Sequence, residues 1–141
     1  DNIVPLHLKH PKDMNVLMVE DNRVEQAFLE EQIVGMGCRA VPAFNGKEAL
    51  KILEQDNHNI DVIFMDRLMP VLDGLQTVRA IKQDLHLRRI PIIMITAATS
   101  NEEIQEGLDA GVFYYLPKPV DEAVLRSVLQ AALRHAEQNR T

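Results

Sequence analysis

Apolar and polar positions follow two rhythms along this chain. Val16-Leu17-Met18-Val19, Val62-Ile63-Phe64-Met65 and Ile92-Ile93-Met94-Ile95 are short runs with no polar member. Runs this short, apolar on both faces, suit strands buried inside a parallel sheet. Phe113-Tyr114-Tyr115-Leu116 is a fourth candidate, and Arg39 to Ala43 a weaker fifth. Pro42 has no N–H to give a ladder, which predicts an edge position for that strand. Helical spacing fills the gaps. Leu29, Ile33 and Met36 share a face that ends at Gly37, and Ala49 with Leu53 marks a short second helix. Val78, Ile81 and Leu85 predict a third, for which Asp73 is the natural cap. Ser100 and Glu103 have capping-box spacing and open a fourth, with Ile104 and Leu108 on one face and Gly111 closing it. Asp121 caps a fifth, whose buried stripe is Leu125, Val128, Leu129 and Ala132. Five βα units in succession predict an α/β fold: a parallel sheet with helices on both faces and right-handed crossovers.

Composition narrows the picture. The 141 residues are 46% hydrophobic and 26% charged, ordinary values for a globular domain. No stretch approaches the roughly 18 apolar residues that a membrane span needs. The net charge of −6 argues against a nucleic-acid-binding surface, whose footprint is a basic patch. Cys38 stands alone, so no internal disulfide forms, and a cytoplasmic, reducing location is expected. Residues 1–13 carry two prolines and no periodicity and read as a leader or linker. The globular domain is expected over 14–138, with a polar tail at 139–141. The chain begins at Asp1 rather than Met, which fits a fragment or a processed product.

In an open α/β sheet, ligands bind beyond the carboxyl ends of the strands. Strand one exits into Glu20-Asp21, strand three into Asp66, strand four into Thr96-Ala97, and strand five through Pro117 into Lys118. Three carboxylates, a hydroxyl and an ammonium group therefore converge on one edge. Clustered carboxylates repel, and a divalent cation relieves that repulsion. Mg²⁺ takes oxygen ligands, uses one or two protein carboxylates and leaves positions for phosphate oxygens. Asp66 is the natural nucleophile, because a carboxylate can form an acyl phosphate. Lys118, stiffened between Pro117 and Pro119, supplies fixed positive charge; Thr96 can donate to a phosphoryl oxygen; small Ala97 leaves its N–H approachable.

Residues 66–74, Asp-Arg-Leu-Met-Pro-Val-Leu-Asp-Gly, resemble the D-x-x-M-P-x-x-D-G signature of response-regulator receiver domains of two-component systems. Glu20-Asp21, Thr96-Ala97 and Lys118-Pro119 fall where that family has its counterparts, and the resemblance spans about residues 14–136. It implies a flavodoxin-like (βα)5 three-layer sandwich with strand order 2-1-3-4-5. It implies that Asp66 accepts a phosphoryl group from a histidine kinase or phosphotransfer protein. It implies Mg²⁺, with Mn²⁺ able to substitute, on Asp21, Asp66 and the Leu68 carbonyl, with Glu20 acting through a metal-bound water. Lys118, Thr96 and the Ala97 N–H would hold the phosphoryl oxygens. Tyr115 matches the aromatic that changes rotamer on activation, altering the surface of helix four, strand five and helix five. The Lys118–Pro119 bond is expected to be cis. Such a domain is a switch and not a turnover enzyme, with a downstream effector as further partner, no nucleic acid or membrane contact of its own, and a monomeric or weakly, phosphorylation-dependent dimeric state.

Apolar Leu68 and small Ala98 stand where relatives often place polar residues that orient the attacking water, so slow autodephosphorylation is expected. Tyr114 stands where winged-helix-linked receivers carry Asp, which argues against that dimer mode. A flavin binder needs a Ser-, Thr- or Gly-rich loop after strand one, where this chain has Glu20-Asp21-Asn22. An Asp-nucleophile phosphatase puts its nucleophile at strand one with a second Asp two residues on, where this chain has Asn22-Arg23. A pseudo-receiver needs a broken site, and none of the five key positions is broken. His7 and His10, at i, i+3 in the proline-containing leader, lack a carboxylate or Cys partner in range and are not expected to form a metal site, and the scattered His58, His86 and His135 are expected to be solvated. Cys38 and the methionines read as core fillers. Among Phe113, Tyr114 and Tyr115, alternation sends at least one into the core; an exposed one would suit a partner surface.

Overall fold

The computed structural model describes residues 13–55 and 59–139. His7, His10, His58, the leader up to residue 12 and the last two tail residues lie outside that range. Five strands alternate with five helices: β1 (Asn15–Val19), α1 (Arg23–Gly35), β2 (Arg39–Ala43), α2 (Gly46–Gln55), β3 (Val62–Asp66), α3 (Gly74–Gln83), β4 (Ile92–Thr96), α4 (Asn101–Ala110), β5 (Tyr114–Pro117) and α5 (Glu122–Gln138). Every strand pair is parallel, and the order is β2-β1-β3-β4-β5. Pro42 sits on β2, an edge strand paired only with β1, where its missing N–H breaks no central ladder.

Strand alternation divides the core in two. Leu17, Val19, Ile63, Met65, Ile92 and Met94 face α2, α3 and α4, packing on Leu53, Val78 and Ile81. Val16, Met18, Val62, Phe64, Ile93 and Ile95 face α1 and α5, packing on Leu29, Ile33, Leu125 and Leu129. β3 and β4 are buried at every position, which is why their sequence is unbroken apolar until the final residue. Cys38 is buried, as are all the methionines except half-buried Met36.

The expected caps Asp73, Ser100 and Asp121 form, each accepting from backbone N–H groups of the first turn, and both Asp73 and Ser100 close capping boxes; Asn22, not singled out by the sequence pattern, caps α1 in the same way. Three helical faces differ from the spacing. Leu85 is 70% exposed, because α3 stops at Gln83. Asp84 ends it, its carboxylate accepting from the His86 and Leu87 N–H groups, and that turn buries Leu87 instead. Leu108 is exposed, and the residue α4 buries is Gly107. Met36 is not helical but the C-cap of α1. Of the aromatic trio, Phe113 precedes β5 and is partly buried, Tyr114 is exposed and Tyr115 is buried. His86 and His135 are exposed, the latter against the Phe113 ring. Asn139, assigned above to the tail, caps α5. Among the described residues no helix is long and apolar enough to cross a membrane.

Candidate functional site

The strand order reverses between β1 and β3: the chain leaves β1 toward β2 on one side and leaves β3 toward β4 on the other. The two connections diverge there and leave a crevice at the carboxyl ends. β1 and β3 run in register, Val19 beside Met65, so Glu20 and Asp66 emerge as neighbours. Asn22, capping α1, turns the chain sharply after Asp21, and its own N–H donates to Glu20 Oε2 at 3.0 Å. Gln26 pins this corner from below, its Nε2 donating to the carbonyls of Met18, Glu20 and Ala43 at 3.2, 3.2 and 2.9 Å.

Carboxylate oxygens of Glu20, Asp21 and Asp66 lie within 4.8 Å of one another. Glu20 and Asp66 are buried and Asp21 is exposed. Lys118, delivered by the loop after β5, faces this cluster, with Nζ 3.2 Å from Glu20 Oε1 and 3.5 Å from Asp66 Oδ1. Its backbone N–H donates to the Thr96 carbonyl at 2.9 Å, and the peptide bond to Pro119 is cis. Thr96 is fully buried at the end of β4, its Oγ1 accepting from the Ala98 N–H at 3.0 Å. That contact leaves the hydroxyl proton to donate elsewhere. Ala97 is exposed beside it. Leu68 is 60% exposed, and its N–H donates to Asp66 Oδ1 at 3.3 Å. Three residues on, Leu72 N–H bonds to the Pro70 carbonyl around Val71, which takes φ 74°. A β-branched residue rarely adopts that backbone, so this loop carries strain. Tyr115 lies apart from the carboxylates, its hydroxyl donating to the Ala98 carbonyl at 2.6 Å.

The electrostatics are those of a site short of positive charge. Burial, reinforced by Asp66, raises Glu20 to about 7, against the opposing pull of the Asn22 N–H and Lys118. Burial also raises Asp66, with Lys118 pulling the other way. Burial alone would lower Lys118, but Glu25, Asp66 and Glu20 outweigh it and hold its ammonium above the usual lysine range. One ammonium group thus faces several carboxylates. An all-oxygen donor set at this spacing fits a hard divalent cation.

Two participants carried no isolated sequence signal. Glu25 on α1 holds Lys118 Nζ at 2.9 Å. Arg67 is buried and reaches Tyr115, Glu103 and Glu106. Gln26 had a weak one: it shares the apolar i, i+3, i+7 face of Leu29 and Ile33. Beside Lys118 a cavity of about 250 Å³ opens, walled by Val24, Phe28, Ile95, Pro119 and Val120.

The comparisons agree with this geometry. The family model for the response regulator receiver domain matches residues 16–130. Hybrid signal transduction histidine kinase K of Dictyostelium discoideum is 36% identical over 94% of this chain and 12% of its own length. The transcriptional regulatory protein CpxR of Escherichia coli is 32% identical over 86% of this chain and 50% of its own. The chain thus spans about half or less of the length of these curated relatives. Among solved structures, Vibrio cholerae chemotaxis protein CheY4 superposes with TM-score 0.78 at 31% identity, covering 84% of this chain and 98% of that one. The receiver domain of a sensor histidine kinase from Pseudomonas aeruginosa, solved with a magnesium ion in its active-site cleft, gives TM-score 0.78 at 35% identity, covering 86% and 98%. Strand order, acidic crevice, opposing lysine and matched residues concur: the chain belongs to the response regulator receiver domain family of two-component signalling.

Proposed function

We propose that residues 14–138 form a phosphoacceptor switch in which Asp66 takes a phosphoryl group from the phosphohistidine of a histidine kinase or phosphotransfer protein. The observation that carries this reading is the grouping of the Glu20, Asp21 and Asp66 carboxylates within 4.8 Å, with Lys118 Nζ 3.5 Å from Asp66 Oδ1. Asp66 oxygen attacks phosphorus, the P–N bond breaks, and imidazole leaves with the bonding electrons. Lys118, Thr96 and the Ala97 N–H then hold the transferred oxygens. Asp21, Asp66 and the Leu68 carbonyl would hold Mg²⁺ or Mn²⁺, and Glu20 a metal-bound water. The ion supplies the positive charge that lets an anionic group enter an acidic crevice. The cavity beside Lys118, whose lining also includes Glu20 and Glu25, suits the apolar flank of the donor.

The acyl phosphate carries about −1.5 to −2 charge beside Thr96, in place of the single negative charge of the carboxylate. The Thr96 hydroxyl moves toward it, and the Thr96–Ala98–Tyr115 chain of hydrogen bonds passes the change to the α4–β5–α5 surface, where an effector reads it. This biases two states of one fold. The reading places the chain in the cytoplasm, as a switch without turnover.

Acetyl phosphate with Mg²⁺ is expected to add one phosphoryl mass, mapping to Asp66. Asp66→Asn is expected to abolish it while circular dichroism stays native; full labelling of that variant would overturn the reading. Glu25→Gln is expected to speed labelling up to about fivefold, since it frees Lys118 from one partner and removes a repelling charge; slower labelling would contradict that role. With apolar Leu68 two residues after Asp66 and small Ala98 two after Thr96, the label is expected to persist well beyond seconds after the donor is removed. Decay within seconds would refute that expectation.

A further inference from the structure

Arg67 has no part in the chemistry just proposed, yet it is only 8% exposed and spans two other elements. One guanidinium nitrogen donates to the Glu103 carbonyl at 2.7 Å and to the Tyr115 hydroxyl at 3.0 Å. The other donates to Glu106 Oε1 at 2.5 Å. Glu103 and Glu106 belong to α4, and Tyr115 to β5. The same Tyr115 hydroxyl donates to the Ala98 carbonyl, and the Ala98 N–H donates to Thr96 Oγ1. Two hydrogen bonds joined through the Ala98 backbone therefore link Thr96 to Tyr115, and Arg67 anchors the far end to α4.

The ring itself occupies a slot. A Cβ on Gly107 would fall 2.6 and 2.7 Å from two carbons of the Tyr115 ring, with Met94 Sδ at 3.8 Å. The ring thus lies against the α4 backbone where only a glycine leaves room. Glycine and Met94 give the slot its shape but no direction. The hydroxyl has two polar partners, and only Arg67 brings a charge, whose hydrogen bonds are roughly twice as strong as neutral ones.

We propose that Arg67 is a positioning residue: it holds Tyr115 in the slot against Gly107 and ties the loop after Asp66 to α4, so that the seating of the aromatic is set by the guanidinium as well as by Asp66. This rests on the reading of Tyr115 as the switch aromatic. A phosphoryl group shifts a two-state equilibrium only by its differential interaction with the two states. Arg67 sets where that equilibrium stands before the group arrives.

The test is nuclear Overhauser spectroscopy on the full chain, reading cross-peaks from the Tyr115 ring to the Gly107 α-protons and the Met94 methyl. Wild type is expected to show both strongly. Arg67→Met keeps the aliphatic stem and removes the fork; the ratio of unseated to seated ring is expected to rise about tenfold, with both cross-peaks weakened accordingly and the remaining amide spectrum native. Glu106→Gln changes an exposed partner, keeps the other two bonds and is expected to be intermediate. Arg67→Lys, which retains the charge, is expected to restore part of the intensity. Undiminished cross-peaks in folded Arg67→Met would overturn the proposal. Should that variant not fold, undiminished cross-peaks in Glu106→Gln would do so. Labelling by acetyl phosphate is scored separately on wild type: its failure removes the phosphoacceptor reading, while the cross-peaks still decide whether Arg67 seats the ring.

Discussion

Gly74→Ala is expected to cost about 3 kcal/mol of stability and to slow labelling of Asp66. A Cβ at this position would stand 2.1 Å from the Asp66 carbonyl oxygen, 2.7 Å from the Arg67 Cα and 2.9 Å from the Asp66 carbonyl carbon. All three are backbone atoms, so no rotamer change makes room. Gly74 is the first residue of α3, and its N–H donates to the Arg67 carbonyl at 2.9 Å. The start of α3 therefore rests directly on the end of β3, and separating them moves the carboxylate that the crevice is built around. Alanine's better helix propensity returns at most about 1 kcal/mol. For a domain of this size the net loss amounts to a fall of about 10 °C in Tm. Gly35→Ala is the control. It ends α1 with nothing within 4 Å of the added methyl, so stability is expected to hold or rise by about 0.5–1 kcal/mol. Equal denaturation midpoints for the two variants would show that the close approach at Gly74 is not what fixes Asp66.

Gly74 also marks the boundary of what could be read from the residues in order. The sheet was legible because burial on both faces leaves no polar position in Val62 to Met65 or Ile92 to Ile95; the first polar residue is then the strand exit. That rule brought Glu20, Asp21, Asp66, Thr96 and Lys118 to one edge, and the structure groups the carboxylates and the lysine there. Helical faces were less secure. Periodicity says which side of a helix is apolar but not where the helix stops, so Leu85 was counted on a face that Asp84 had already ended. Gly107 was invisible for a related reason: a residue without a side chain makes no stripe, yet it is the one α4 buries. Arg67 and Glu25 were missed because their roles depend on partners far along the chain. Arg67 finds Tyr115 across 48 positions, and an arginine after the Asp of a signature reads locally as a solvated charge.

Lys118→Met is expected to separate two functions of the crevice that usually fail together. Nζ is the cation shared by Glu20, Glu25 and Asp66, at 3.2, 2.9 and 3.5 Å. Methionine keeps most of the stem and none of the charge. Labelling by acetyl phosphate is expected to fall by about 100-fold or more, the usual result of deleting one positioned donor to a transferring group. Affinity for Mg²⁺ is expected to move the opposite way, tightening about tenfold, because a repelling ammonium group beside the carboxylates is gone. Without metal the variant is expected to lose about 2 kcal/mol, since Glu20 and Asp66 keep their burial and lose their counter-charge. Saturating Mg²⁺ should return much of that, because an ion that binds the folded crevice stabilises it by mass action. Thermal melts with and without Mg²⁺, set beside labelling rates, measure all three effects. A lysine acting only as a structural strut would weaken metal binding and labelling alike, since a loosened crevice serves neither. A variant that labels poorly while gripping magnesium more firmly would instead mean that the ammonium group acts on the phosphoryl oxygens and not on the shape of the site.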